Sequence, residues 1–289
     1  MGKFRFRGRR GKDRSRRGVV PIKAIVPNLV TSLAACAGIT SISLCSEGRF
    51  REAMYALLLA CVCDGMDGRI ARLMKASSKL GAELDSLADF VNFGVAPAMF
   101  MYFWLTKGPM HVGVAPQTVR LVLGCSLFYA MCDCFRLARF NTMLEQEPLP
   151  YWKHYFTGVP APGGCWMVLT PYILMYSLGV EARWPAVYRV FSHPVFGMAM
   201  LLFVGALMAS RLPTISLKSL HISKRAQRPV IALGLFLIGC LFANLWLTLG
   251  VIGALYIITV PVTGIVFMRG KARYEAANAQ GAQNVENAK

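Results

Sequence analysis

The sequence predicts an all-α polytopic membrane protein of about eight transmembrane helices. Three observations carry that prediction. Only 16% of the 289 residues are charged and the mean hydropathy is +0.47, whereas a soluble domain averages about a quarter charged residues. The apolar residues come in long runs rather than in amphipathic stripes. The basic residues, finally, gather on one side of the threading that those runs dictate.

Residues 1–20 form a basic arm, opening MGKFRFRGRRGKDRSRRG. It lacks the apolar core of a secretory signal and is expected to be disordered. A basic arm directly before a span suits contact with anionic lipid better than contact with RNA. The membrane domain occupies 21–270. Its first span covers about 27–45, and the second runs from about 53 into an acidic motif at Asp64. The third covers about 80–104, with Gly94 and Pro97 expected to kink it. A fourth covers about 119–137, a fifth ends near 178 and a sixth covers about 190–209. The last two, about 230–249 and 251–268, are separated only by a tight turn. A polar tail, 271–289, closes the chain.

An even number of spans puts both termini on one side. If that side is cytoplasmic, it collects 26 of the 32 Lys and Arg residues, as the positive-inside rule requires. The bias accounts for the net charge of +18 without nucleic acid, and it fits a multi-pass protein of the cell (inner) membrane. The nine cysteines fall almost wholly in apolar segments and include no CxxC pair, so zinc is not expected.

Chemistry concentrates in DGMDGRIARLMKASSKLGAELDSLAD, residues 64–89. Asp64, Asp67, Gly68, Ala71 and Arg72 share one arc of a first helix; Gly81, Asp85, Asp89 and Asn92 share one arc of a second. A short polar link makes the two helices neighbours, so the carboxylates converge. Four like charges that close repel unless a divalent cation neutralises them. Both helices continue into strongly apolar sequence, where ionisable residues are expensive and suggest a functional site. The small residues Gly68, Ala71 and Gly81 fit two purposes equally by spacing, room for a ligand or close helix packing.

D-x-x-D-G-x-x-A-R, eight residues, then G-x-x-x-D-x-x-x-D resembles the signature of the CDP-alcohol phosphatidyltransferases, with every position filled. The resemblance implies transfer of a phosphatidyl unit from CDP-diacylglycerol to an alcohol, with release of CMP. It implies Mg²⁺ or Mn²⁺ held by Asp64, Asp67 and Asp85, with Asp89 near enough to share an ion. Asp89 becomes the general base for the attacking hydroxyl, and Arg72, whose guanidinium matches phosphate geometry, a contact to the diphosphate. Gly68, Ala71 and Gly81 then leave room for the nucleotide. Asn28 and Thr31, one turn apart in the first span, are expected to face the donor, although a polar contact between spans would serve as well. A homodimer is implied by the family alone, and attack is either direct or through a covalent intermediate.

Five stretches, PNLVTSLAACAGITSI, AELDSLADFVNFGVAPA, RLARFN, FTGVPAP and SRLPTISLK, are similar to the bacterial phosphatidylserine synthases within that family. They make L-serine the expected acceptor. Serine's carboxylate needs a cation, and Arg136, Arg139 and Asn141 lie at the membrane face of the aspartates, the arginines one turn apart. Interface anchoring is their other reading. Asp133 is unexpected in this apolar stretch, and its pairing with Arg136 would weaken the assignment. Glycerol 3-phosphate and inositol phosphate are the alternative acceptors, requiring several basic groups such as those of 218–228. Divalent-cation transport is the alternative from another class. It commonly places ions near the midplane between inverted repeats, and no repeat is evident.

Overall fold

The computed structural model describes residues 22–75, 78–108, 114–143, 155–210, 213–215, 227–260 and 262–264. The basic arm and the polar tail lie outside the described residues. Among the described residues, the regular structure is helical apart from one short ribbon. Helix α1 (Ile22–Ser46) packs along α2 (Phe50–Leu73). The Ser41 hydroxyl ties them, donating to the Ala53 carbonyl at 2.9 Å. Helix α2 ends on Lys75 in the left-handed region, with φ of 51°, a conformation that stops helices by satisfying their last carbonyls. Ser78 then caps the next helix, α3 (Lys79–Asp89), its Oγ accepting from the Gly81 N–H at 3.0 Å.

The third span breaks as Gly94 and Pro97 suggested, but the break is a π-helix over Phe90–Val95, leading directly into α4 (Ala96–Lys107). The Ala96 N–H bonds back to the Val91 carbonyl, one residue further than an α-helix allows. The buried Tyr129 hydroxyl donates to the Phe93 carbonyl at 3.0 Å. It comes from α5 (Pro116–Met143), which packs along the π-helix.

Beyond α5 follow β1 (Tyr155–Thr157), α6 (Ala161–Leu178), the short α7 (Val180–Arg183) and α8 (Pro185–Ser192). Helix α9 (Pro194–Ala209) is bent by 53° from α8, and β2 (Pro213–Ile215) follows it. The strands pair antiparallel, Phe156 opposite Thr214. That ribbon joins the start of α6 to the end of α9. Gly158, with φ of 81°, makes the turn out of β1. A Cβ there would stand 2.8 Å from the Met208 carbonyl oxygen and 2.9 Å from that of Ser210, so only glycine fits.

The last two spans divide differently from the expectation. α10 (Gln227–Ala243) and α11 (Leu245–Gly264) part at Asn244, whose Oδ1 accepts from the Leu247 N–H at 3.0 Å. The helix runs straight through the turn expected at Gly250. That glycine, like Gly253, instead lets α11 approach α6, for a Cβ at Gly250 would meet Leu174 at 2.6 Å.

Among the described residues the first six expected spans fall on helical elements, the seventh is interrupted at Asn244 and the eighth is helical as far as Gly264. By length and composition, three helices among the described residues qualify to cross a membrane: Ile25–Ser46, Pro116–Thr142 and Leu245–Gly264. The bent α8–α9 pair makes a fourth if taken as one span. The aspartates of α2 and the break after Asp89 explain why the second and third spans do not pass the same test. An aromatic cluster of the core lies where α2 begins and α4 ends. Phe50 meets Trp104 edge-on at 5.0 Å and Phe100 at 5.8 Å, and Tyr172 of α6 closes the group at 5.4 Å from Trp104.

Candidate active site

The carboxylates converge at the other end of α2. One turn separates Asp64 from Asp67, and one turn separates Asp85 from Asp89 on α3, so each helix presents a pair on one face. The fold-back at Lys75 and the Ser78 cap set those faces against each other. Asp64, Asp67 and Asp85 each offer an oxygen, and the three lie within 4.8 Å of one another. Asp89 lies outside this trio, within electrostatic reach of Asp64 and Asp85. Asp67 is 3% exposed, and the Thr31 hydroxyl donates to its Oδ2 at 2.6 Å. The first span therefore reaches the carboxylate cluster.

An open cleft of about 160 Å³ reaches down to Asp67 and Asp85. Its walls are Pro27, Asn28 and Thr31 of α1, Asp67, Gly68 and Ala71 of α2, and Ser78, Gly81, Ala82 and Asp85 around the start of α3. A Cβ at Gly68 would meet nothing within 4 Å, so this glycine opens space rather than packing a helix. Gly81 does both, because a Cβ would stand 2.9 Å from Asn28 Oδ1 across the cleft. Arg72 sits beside the cleft without lining it. Its Nε donates to the Gly68 carbonyl at 3.1 Å on an exposed surface. Pro27, Ser78 and Ala82 line the cleft without being marked by the helical spacing of the acidic motif. Ser78 had a signal, an N-cap serine just before the second helix.

The three residues expected to hold the acceptor part company. Arg136 is largely enclosed, and its Nε donates to Asp133 Oδ1 at 3.4 Å. It lies within electrostatic reach of Asp89. Arg139, one turn on, turns away from the carboxylates. Its Nη2 donates to the Ala209 carbonyl at 2.9 Å and its Nη1 to that of Ser210 at 3.3 Å, capping α9. Asn141 is exposed and donates to Ser86 Oγ at 3.1 Å, tying the end of α5 to α3.

The donor set is all hard oxygen, carboxylates with a hydroxyl beside them, and three of the oxygens are close enough to surround an ion. Such a set fits Mg²⁺ or Mn²⁺ and disfavours the softer metals. No other cluster among the described residues gathers three such ligands. Carboxylates around a cation, at the base of a cleft with small residues and amides on its walls, can receive a diphosphate that bare carboxylates would repel.

The sequence model of the CDP-alcohol phosphatidyltransferase family matches residues 24–208. Over 197 residues the chain is 39% identical to a Mycobacterium bovis protein named CDP-diacylglycerol–serine O-phosphatidyltransferase, covering 68% of this chain and 64% of the relative. A Mycobacterium leprae protein of the same name is 37% identical over 211 residues, 73% of this chain and 63% of its own. One from Helicobacter pylori, also so named, is 35% identical over 145 residues, 50% and 56% of the two chains. The matches thus span less than two thirds of the length of these relatives. The family match runs from the α1 wall of the cleft to the end of α9, and the chain belongs to the CDP-alcohol phosphatidyltransferase family.

Proposed function

We propose that the protein transfers the phosphatidyl group of CDP-diacylglycerol to the hydroxyl of L-serine, forming phosphatidylserine and releasing CMP. The observation that carries this reading is the meeting of Asp64, Asp67 and Asp85 under a cleft walled by Asn28, Thr31, Gly68, Ala71 and Gly81. The names of the relatives support serine as acceptor.

Asp64, Asp67 and Asp85 would hold Mg²⁺ or Mn²⁺, with Asp89 alongside. Bound there, the metal supplies the positive charge that lets a diphosphate sit among carboxylates and offsets the charge left on CMP. Asn28 closes against Gly81, and the open space over Gly68 beside them is the slot for the nucleotide. Arg72, beside the mouth, has terminal nitrogens available for the diphosphate. Asp89 takes the proton from the serine hydroxyl as that oxygen bonds to the phosphorus bearing diacylglycerol and the bond to CMP breaks. Arg136 receives the serine carboxylate. Arg139 is engaged at α9, and the basic residues 218–226 that a phosphorylated acceptor would call on lie outside the described residues. The names of the relatives are what favours serine over glycerol 3-phosphate or inositol phosphate. The reading carries with it a cytoplasm-facing site in the cell membrane, both termini on that side, anionic lipid under the basic arm, and a homodimer.

The experiment is CMP release by the purified protein in detergent, with CDP-diacylglycerol and Mn²⁺ or Mg²⁺. Serine, glycerol 3-phosphate and inositol phosphate are offered separately, with Asp89→Asn alongside. Serine-dependent release that Asp89→Asn abolishes is expected. Release driven by a phosphorylated acceptor would overturn the acceptor, and none with any acceptor would turn attention to cation transport.

A further inference from the structure

We propose that Asp133 is a positioning residue that holds Arg136 by its Nε, so that the two terminal nitrogens of the guanidinium present themselves to the acceptor's carboxylate. The proposal rests on the serine-transfer reading above.

Asp133 is fully buried in α5, and the Arg136 Nε donates to its Oδ1 at 3.4 Å. A guanidinium held at Nε keeps its terminal fork free, and that fork matches a carboxylate two bonds at a time. No hydrogen bond engages Nη1 or Nη2 of Arg136 among the described residues. The other oxygen of Asp133 is buried without a partner and lies against Gly94 of the π-helix. A Cβ there would come within 2.8 Å of it, so the carboxylate has little room to rotate. Burying a carboxylate with one bond is costly. In a membrane span that cost points to function.

The direction of the effect follows from what else is in reach. Arg136 interacts electrostatically with both Asp133 and Asp89. Without Asp133, Asp89 is the carboxylate left to it, and pairing there would turn the fork from the acceptor. Arg139 shows the contrast on the same helix. Its terminal nitrogens cap α9, leaving it no fork to offer.

The test measures serine dependence of CMP release for the wild type, Asp133→Asn, Arg136→Gln and the double variant. In Asp133→Asn, whose amide oxygen can still accept from Nε but carries no charge, the KM for serine is expected to rise about fivefold, the difference between a charge-assisted and a neutral hydrogen bond. The KM for CDP-diacylglycerol should stay within about twofold. Added to Arg136→Gln, Asp133→Asn should raise the serine KM no further, since residues acting through one contact are not additive. An unchanged or lower serine KM in the single variant, or a further rise in the double, overturns the proposal. Should Asp133→Asn fail to fold, Arg136→Met is compared with Arg136→Met carrying Asp133→Leu, a replacement that buried ion pairs often tolerate. Equal serine KM values are expected, and a higher value in the double variant overturns it. A wild type that ignores serine refutes the functional reading first, and this inference falls with it.

Discussion

The two ends of α2 are built on opposite principles. At Phe50 the helix enters a cluster of four aromatic rings from α2, α4 and α6, packed edge to face except for Phe100 and Trp104, which lie parallel. Fourteen residues on, about 21 Å along the axis, Asp64 begins a stretch where carboxylates gather under an open cleft. One end is filled with apolar surface; the other holds repelling charges apart from any such filling. The difference teaches where rigidity comes from. The aromatic end fixes the helices relative to one another, so the polar end can keep its like charges close without collapsing or splaying.

Substitutions at the two ends should therefore separate activity from stability. Asp64→Ala carries the largest expected effect. It removes one of three converging oxygens and should lower CMP release by roughly a thousandfold or more, while the thermal midpoint in detergent changes little or rises. A large drop in that midpoint would mean that the carboxylates hold the fold together. Phe100→Ala should show the reverse. It should cost about 2 kcal/mol of stability, the cavity share of an aromatic truncation where lipid rather than water is the alternative. Protein that stays folded should keep its KM values, and a selective loss of turnover would show that the ends are coupled.

Thr31→Val sharpens the comparison from inside the site. It keeps the shape but deletes the 2.6 Å hydrogen bond to Asp67. The metal concentration for half-maximal activity should rise about tenfold, and an unchanged metal dependence would make Thr31 merely a tie between spans. Arg139→Gln is the smallest. Loss of the α9 cap should cost about 1 kcal/mol and leave the serine KM within about twofold. A serine KM raised as much as in Arg136→Gln would return Arg139 to the acceptor site.

Much of the site was legible because its order is local. Asp64 with Asp67, and Asp85 with Asp89, lie one helical turn apart, so spacing alone gives each helix its acidic face. The break near Gly94 and Pro97 was legible for the same reason, though it takes the form of a π-helix beginning upstream at Phe90. Thr31 was expected to face the donor or to make a polar contact between spans, but its partner Asp67, 36 positions away, was not legible. What was not legible depends on distant partners. Spacing placed Arg136 and Arg139 on one face and assigned them one role. Arg139 instead bonds to carbonyls 70 and 71 positions away. The ribbon of Tyr155–Thr157 with Pro213–Ile215 is too short for any periodic pattern, and its register is set by chain geometry between α6 and α9. At the α10–α11 junction, Gly250 resembled a turn residue, yet its missing side chain serves packing, and Asn244 supplies the break.

The π-helix after Asp89 has a consequence for how this chain tolerates insertion and deletion. Each residue added to an unbroken α-helix turns everything beyond it by about 100°. The wide turn between Val91 and Ala96 absorbs such a residue instead, taking five residues where an α-turn takes four, so the helix beyond it keeps its phase. Deleting one residue within Phe90–Val95 should therefore restore an ordinary helix and leave Asp85 and Asp89 in line with α2. A residue deleted between Asp85 and Asp89, where the helix has no such slack, would instead turn one carboxylate away from the other. For this chain, the stretch between Asp89 and α4 is more forgiving of a change in length than the spacing of the aspartates.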